Sequence, residues 1–176
     1  VINLKSIWQN AWLATKASFF WSVLVYPFNS DLAWLRLYSE PQDEVRLWDQ
    51  LNAKQKTIGF AGTDATARTG GIGRFHLRFP SYNVLFSLLS NHVLLKSELT
   101  GEPEGDRRKV LEAFNEGQFY MSIDLLGNPK GFNAYMQDGE KIYAMGSKVK
   151  FREGLRFDVT LGQKPNVDFE TVIFKD

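Results

Sequence analysis

The sequence contains no cysteine and only two histidines, His76 and His92. Without cysteine the chain can form neither a disulfide nor a thiolate zinc site, although this does not decide the cellular compartment. The two histidines show no His-x-His or His-x-x-x-His spacing, the kind that places imidazoles together on one metal. We interpret His76 as a loop or strand residue rather than a ligand. We expect His92 to cap or hydrogen-bond at the end of an apolar helix rather than to act in catalysis.

The chain also lacks a large net charge, and it has no apolar run long enough to span a membrane. It has 21 basic and 20 acidic residues, a formal net charge of +1, so no field steers nucleic acid or an anionic membrane. The basic triplet at residues 107–109 favours a solvated helix face over a phosphate site. The uncharged runs at residues 17–30 and 79–95 fall short of the roughly 20 apolar residues that span a bilayer. No signal-peptide pattern is visible. We therefore expect no nucleic-acid or membrane partner, and the localisation stays open.

Apolar residues are plentiful and change their periodicity along the chain. Of the 176 residues, 44% are hydrophobic and 14% aromatic, which is enough for a packed core. All five tryptophans lie within the first 48 residues: Trp8, Trp12, Trp21, Trp34 and Trp48. Helical periodicity dominates before Gly117, and an alternating pattern comes after it. These shifts predict two parts, residues 1–117 and 118–176.

Local patterns predict the elements of each part. The first part is expected to hold helices near residues 4–27, 31–38, 42–51, 81–89 and 106–117, and a strand at 57–61. A capping box at residues 39–42 is expected to open the third helix, and Asp106 to cap the last. The fourth helix is expected to present Tyr82, Leu85, Phe86 and Leu89 on one face. In the second part, short strands are expected near 119–123, 132–135, 142–144, 149–151, 155–159 and 172–174. Such spacing is typical of an antiparallel sandwich.

Residues 58–68 carry the strongest candidate for a functional site. A short apolar run there leads to Asp64 at the end of a buried strand, where side chains of parallel α/β sheets line active sites. Two positions later Thr66 offers a hydroxyl instead of an imidazole. The glycine-rich residues 69–74 lack both the P-loop ending and the dinucleotide fingerprint, so they favour a mobile surface loop over a phosphate cradle. Arg68 and Arg74 are nevertheless candidates to meet an anionic substrate.

Nucleophilic catalysis has less support from the sequence. There is no cysteine and no Gly-x-Ser-x-Gly elbow, and no spacing indicates a Ser/His/Asp triad. Neighbouring carboxylates such as Asp43 with Glu44, or Glu102 with Glu104, lie at helix starts or turns, where such residues cap and solvate the backbone. No catalytic residue is assigned from the sequence.

The stretch Ala-Gly-Thr-Asp-Ala-Thr at residues 61–66 resembles the last metal-binding motif of the PHP (polymerase and histidinol phosphatase) family, usually Gly-Ser/Thr-Asp-Ala-His. Residues 2–4 are similar to the strand end that precedes a long helix in these proteins, and residues 47–51 to the helix before the motif. Residues 79–86, 91–95, 117–120, 131–133 and 144–146 resemble the stretch after the motif in bacterial members with an appended β-sandwich. The resemblance implies an α/β plus all-β fold: the C-terminal part of a distorted (β/α)7 PHP-type barrel followed by an antiparallel β-sandwich.

The same resemblance implies a metal-dependent phosphoesterase that hydrolyses a phosphate ester with zinc, manganese or iron. Carried over position by position, Asp64 is the single retained ligand, and Thr66 stands where the family places a ligating histidine. The other family ligands have no counterpart, as if the chain began after them. The chain alone is therefore expected to bind no metal and to be inactive. The alternative is a non-catalytic module that recognises a glycan, a peptide or a partner domain, with association through the tryptophan-rich N-terminal helices.

Overall fold

The order of elements alternates helices with short strands. The structure is a computed structural model, and it describes residues 2–3, 16–65, 68–72, 75–79, 81–127, 129–162 and 170–173. The helices are α1 (Lys16–Val25), α2 (Ser30–Leu37), α3 (Gln42–Asn52), α4 (Tyr82–Ser87) and α5 (Pro103–Glu116), with a 3-10 helix at Asp124–Leu126. The strands are β1 (Ile2–Asn3), β2 (Ala61–Gly62), β3 (Arg68–Ile72), β4 (Phe75–Phe79), β5 (Ser90–Val93), β6 (Phe119–Ser122), β7 (Asn133–Asp138), β8 (Lys141–Ala144) and β9 (Arg156–Thr160).

The chain divides into two compact units. Unit 1 comprises Val1–Ser90 and Met121–Gly127, and unit 2 comprises Asn91–Tyr120 and Asn128–Asp176. The division at residue 117 that the periodicity indicates stays a prediction. Among the described ranges, no helix combines the length and apolarity needed to cross a bilayer.

Helices α1 to α3 form the first part of unit 1, and a local signal explains the start of one of them. The Asn29 side chain accepts from the Leu32 amide at 2.9 Å and so begins α2, which lies where the sequence predicts a helix. The expected capping box of α3 is wrong, because Pro41 is the N-cap and no side chain caps the helix. The Gln42 side-chain amide donates to Glu40 instead, at 3.3 Å. Of the long helix expected near residues 4–27, residues 4–15 lie outside the described part, and with them Trp8 and Trp12.

The sheets of unit 1 are small. β1 and β2 are parallel, with Ile2 opposite Ala61 and Asn3 opposite Gly62. The strand expected at residues 57–61 is thus shorter and displaced. β3 and β4 form an antiparallel hairpin that pairs Gly71 with His76. The surface-loop expectation is therefore wrong for residues 69–72, because the alternating apolar sequence of β4 provides a pairing partner for the glycines.

The core of unit 1 is built around α2 and α4. Trp34, Ala61, Leu85, Leu88 and Leu89 form one buried cluster. Ser81 caps α4 by accepting from the Val84 amide at 3.4 Å, as the sequence predicts.

The predicted apolar face of α4 is half right. Leu85 and Leu89 are buried, whereas Tyr82 and Phe86 are exposed and stack on each other. The inward side chains are Leu85 in α4 and Leu88 directly after the helix ends at Ser87, three residues apart. The Tyr82–Phe86 pair lies on the outer side.

Unit 2 contains α5 and the three-stranded antiparallel sheet β8-β7-β9. Pro103 at the helix start and Gly117 at φ 75° set the ends of α5, the latter as predicted. Asp106 does not cap α5, since Glu102 is the N-cap one turn earlier. The strand expected at 149–151 is absent from the structure, and so is one over residues 172–173, the described portion of the last predicted strand.

The described residues contain three two-stranded sheets and one three-stranded sheet, and no barrel. A mixture of helices and small sheets is what the structure establishes. The PHP-type barrel and the sandwich remain predictions.

Candidate functional site

Asp64 lies two residues beyond the carboxyl end of β2. Because β1 and β2 are parallel, the end of β1 at Asn3 and the end of β2 at Gly62 meet at the same edge. Polar side chains at this edge of parallel strands are the usual position for binding and catalysis. Asp64 thus follows a parallel strand, although one of two residues rather than the buried strand expected at residues 57–61. Asn3 is the residue that the strand pairing brings to the same edge.

The segment that leads to Asp64 is fastened to α3 by two hydrogen bonds. The Trp48 indole Nε1 donates to the carbonyl of Thr57 at 2.7 Å, and the Thr57 amide donates to the Asn52 side chain at 2.8 Å. Residues 57–60 are not in a strand, so these side chains satisfy backbone groups that a ladder would otherwise pair. The sequence predicts α3 but not this fastening role, because the partners become neighbours only when the chain turns back.

Apolar contacts hold both sides of the Asp64 turn. Ala61 is a member of the unit 1 core, and Ala65 packs against that core. Asp64 itself is exposed. The loop between two anchored alanines therefore holds Asp64 at the surface.

The backbone of Asp64 is left-handed, with φ 45°, and Asp64 is the single non-glycine residue at positive φ among the described residues. Aspartate and asparagine tolerate this region better than other residues, yet the conformation is less favourable than an extended one. Held backbone strain of this kind is concentrated at functional sites. The conformation gives Asp64 a structural distinction that the sequence pattern alone does not show.

A metal centre needs several ligands at one point, and the described residues do not provide them. No group of three or more His, Cys, Asp or Glu side chains is placed to hold a metal ion within the described ranges. Asp64 with the neighbouring strand end contributes at most one carboxylate and one amide, a weak set for zinc, manganese or iron. The described residues therefore do not form a complete metal site.

The other residues singled out from the sequence are less informative. Thr66 and Arg74 lie outside the described residues. Arg68 opens β3, opposite Phe79, and its side chain likewise lies outside what the structure describes. His76 is in β4, consistent with a strand residue.

The expected position of His92 at a helix end is wrong. It lies in β5 rather than at a helix end, and its ring stacks on Tyr120 with centroids 4.7 Å apart. The short α4 ends at Ser87, before the chain reaches His92.

A second polar cluster in unit 1 surrounds Asp124. The Ser122 hydroxyl donates to Oδ1 of Asp124 at 2.5 Å, and the Ser90 hydroxyl donates to Oδ2. The Ser-x-Asp spacing signals the first bond, but no sequence pattern signals Ser90. Because both carboxylate oxygens already accept a hydroxyl, we interpret the cluster as a structural tie rather than as a nucleophile site.

A small pocket in unit 2 has a volume of about 90 Å³, and both positively and negatively charged side chains line it. Lys96 donates to Glu112 at 3.2 Å and to Glu116 at 2.7 Å, and these carboxylates raise the pKa of Lys96. Lys109 pairs with Asp106 at 3.1 Å. Each lysine of the pocket is therefore paired with at least one carboxylate.

No protein-family model, no curated protein and no solved structure matches this chain. The interpretation of the Asp64 turn therefore depends on its own residues and geometry.

Proposed function

We propose that the chain is the C-terminal region of a PHP-type metal-dependent phosphoesterase whose metal site is incomplete or degenerate in this chain. The supporting observation is the parallel pairing of β1 with β2, which ends at Asn3 and Gly62 and is followed by the left-handed, exposed Asp64. That is the position at which a sequence resembling the last metal motif of the family would present its carboxylate. The substrate class implied by the resemblance is a phosphate ester.

In this proposal, Asp64 is the single candidate metal ligand, and Arg68 and Arg74 are candidate contacts for the phosphate. The described residues do not form a complete metal centre, so no catalytic step is assigned to the chain alone. Trp48, Asn52 and the anchored Ala61 have a positioning role, because they fix the segment from which the Asp64 turn projects.

A metal and activity measurement tests the degenerate site. We expect the purified chain to carry well under one equivalent of zinc, manganese or iron by plasma mass spectrometry. With added manganese, it should hydrolyse p-nitrophenyl phosphate no faster than buffer. Asp64→Ala should leave both values unchanged, as should Asp43→Ala on the exposed face of α3. Stoichiometric metal and activity that Asp64→Ala abolishes and Asp43→Ala preserves would show a working site and contradict the degenerate-site proposal.

The coding sequence upstream of Val1 tests the family assignment separately. A His-x-His within about 200 residues before Val1, a distance set by typical barrel size, would support a barrel that this chain completes. A start codon directly before Val1 would instead favour the second candidate function.

That second candidate is a non-catalytic binding module in unit 2. The observation that favours it is exposed apolar surface on and near the three-stranded sheet: Ile142 and Phe151 are largely exposed, and Phe157 and Val159 partly so. The pairing of Met136 with Phe157 and Ala134 with Val159 places the last two side chains on one face of the sheet. An apolar sheet face of this kind suits a glycan, a peptide or a partner domain.

A further inference from the structure

Helix α1 turns its apolar side chains to solvent. At 100° per residue, one arc of the helix holds Ala17, Phe20, Trp21, Val23 and Leu24, and all five are exposed. Leu24 is 72% exposed, and Phe28, in the turn after the helix, is 88% exposed. Between Ala17 and Ser30 the sequence has no charged residue. We call this surface, residues 17, 20, 21, 23, 24 and 28, the α1 outer face.

The opposite side of α1 points inward and carries two serines beside the half-buried Phe19 and Val25. Ser18 is half-buried, and Ser22 is 2% exposed. Within the described structure the Ser22 hydroxyl has no hydrogen-bond partner. A buried polar group and a large exposed apolar patch are the two departures from ordinary burial that carry information.

The α1 outer face has the area of a small contact surface. Taking about 200 Å² for a whole aromatic side chain, the exposed fractions of Phe20, Trp21 and Phe28 leave roughly 400 Å² of aromatic surface. Val23 and Leu24 add to it. The largest patch on an ordinary monomer is about 300–600 Å², whereas a standard interface covers about 800 Å² on each partner. The patch is therefore as large as the largest patch on an ordinary monomer, which is often functional, and covers about half of the surface that a standard interface buries on each partner.

The charges at the ends of the α1 outer face fit a second copy of the chain. Lys16 begins α1, and Asp31 lies in the first turn of α2, just after the turn that ends α1. When two copies of α1 pack antiparallel about a two-fold axis, the Lys16 end of one lies beside the Asp31 end of the other, and these two charges are opposite. A lipid surface fits less well, because membrane-surface helices carry several Lys or Arg and α1 carries one.

We propose that the α1 outer face is the contact surface of a homodimer, in which α1 packs antiparallel against α1 of a second copy. The proposal is independent of the phosphoesterase assignment, because it uses neither Asp64 nor a metal. Aromatic and leucine side chains at the centre and a Lys16–Asp31 pair at each end would form the interface.

Sedimentation equilibrium on the whole chain tests this proposal. We expect wild-type protein at micromolar concentrations to show twice the 20.2 kDa mass of one chain. Leu24→Glu should raise the dissociation constant at least tenfold by placing carboxylates in the apolar centre. Phe28→Asp, in a turn outside the helix, should do the same without altering α1. The matched control is Leu47→Glu, on the exposed face of α3, which should leave the dimer intact.

Circular dichroism of each variant separates loss of association from loss of folding. Lys16→Glu should weaken the dimer, and Asp31→Lys in the same chain should restore it. A monomeric wild type, a dimer that survives both Leu24→Glu and Phe28→Asp, or equal loss with Leu47→Glu would overturn the proposal. So would binding of the wild type to equimolar phosphatidylcholine and phosphatidylserine vesicles that Phe28→Asp abolishes. Failure of Asp31→Lys to restore association would overturn the antiparallel arrangement.

Discussion

The two units bury different kinds of surface. In unit 1 the buried apolar side chains include large ones: Ala33, Trp34, Leu37, Ala61, Leu85, Leu88 and Leu89. In the described part of unit 2, the buried apolar residues are Ala113 and Ala134. Aromatic side chains of unit 2, such as His92, Tyr120 and Phe132, pack in contact but stay half-exposed. Hydrophobic burial, at about 25 cal/mol per Å², therefore stabilises unit 1 more than unit 2.

Unit 2 relies instead on backbone geometry and polar contacts. The start of α5 is held by Asp106, whose carboxylate accepts from the amides of Thr100 and Gly101 at 2.7–3.0 Å. Gly146, at φ 82°, lies so close to Glu116 and Gly117 at the end of α5 that a Cβ there would overlap their backbone. The comparison indicates that the stability of unit 1 depends mainly on the absence of cavities. The stability of unit 2 depends mainly on backbone conformation and on pH.

The largest expected effect is a cavity in unit 1. Leu88 is 1% exposed, and Leu88→Ala removes apolar contacts that neighbouring side chains refill only partly. We expect a loss of about 3 kcal/mol in the free energy of unfolding. Urea unfolding followed by tryptophan emission measures it, because every tryptophan belongs to unit 1. Phe86→Ala, on the exposed side of α4, should cost less than about 1 kcal/mol. Equal losses would show that the leucine cluster is not the core.

A backbone substitution should have the next largest effect, this time in unit 2. Gly146→Ala meets an unfavourable φ and the backbone of α5, and the strained conformation alone costs about 1–3 kcal/mol. Gly139→Ala is the matched control, since Gly139 also has positive φ but faces open space. Hydrogen exchange resolved by mass spectrometry should show faster exchange at the end of α5 for Gly146→Ala only. If both variants behave alike, the close approach of Gly146 to α5 does not contribute to the stability of unit 2.

The smallest expected effect is a pH dependence at the start of α5. Hydrogen bonds from the backbone of Thr100, with help from Lys109 and Gly101, lower the pKa of Asp106 from 3.8 to about 2. The unfolded chain takes up the proton first, so the stabilisation is complete above the unfolded pKa and is lost as the pH falls from about 4 to 2.

Asp106→Asn should reduce this loss of stability at low pH. Hydrogen exchange in α5, compared between pH 5 and pH 3, is the measurement, with Asp43→Asn on the exposed face of α3 as the control. If the loss of stability at low pH is unchanged in Asp106→Asn, a group other than Asp106 causes it.

The candidate site shows which features of a site the local sequence can predict and which it cannot. The sequence indicates that a carboxylate at position 64 follows a strand, because a short apolar run and a turn-forming segment are both local features. It does not indicate that Asn3 would lie beside Gly62, or that Asp64 would be left-handed. Both depend on residues that are far apart in the chain and become neighbours only after folding.

Local sequence signals are sufficient to set where several elements begin and end. Asn29 and Ser81 start helices by accepting from amides three residues ahead, and Gly117 ends α5 because glycine adopts positive φ without steric cost. These interactions lie within one turn of the chain, so their free energy does not depend on the rest of the molecule.

Which side of each element is buried depends on the tertiary structure. The stripe of α4 that reaches the core is Leu85 with Leu88 rather than Tyr82 with Phe86, and α1 faces inward with Ser22 rather than with Leu24. β3 likewise exists because β4 pairs with it. Burial depends on which partner surface is available, and that choice minimises the free energy of the whole assembly of elements rather than of any one segment.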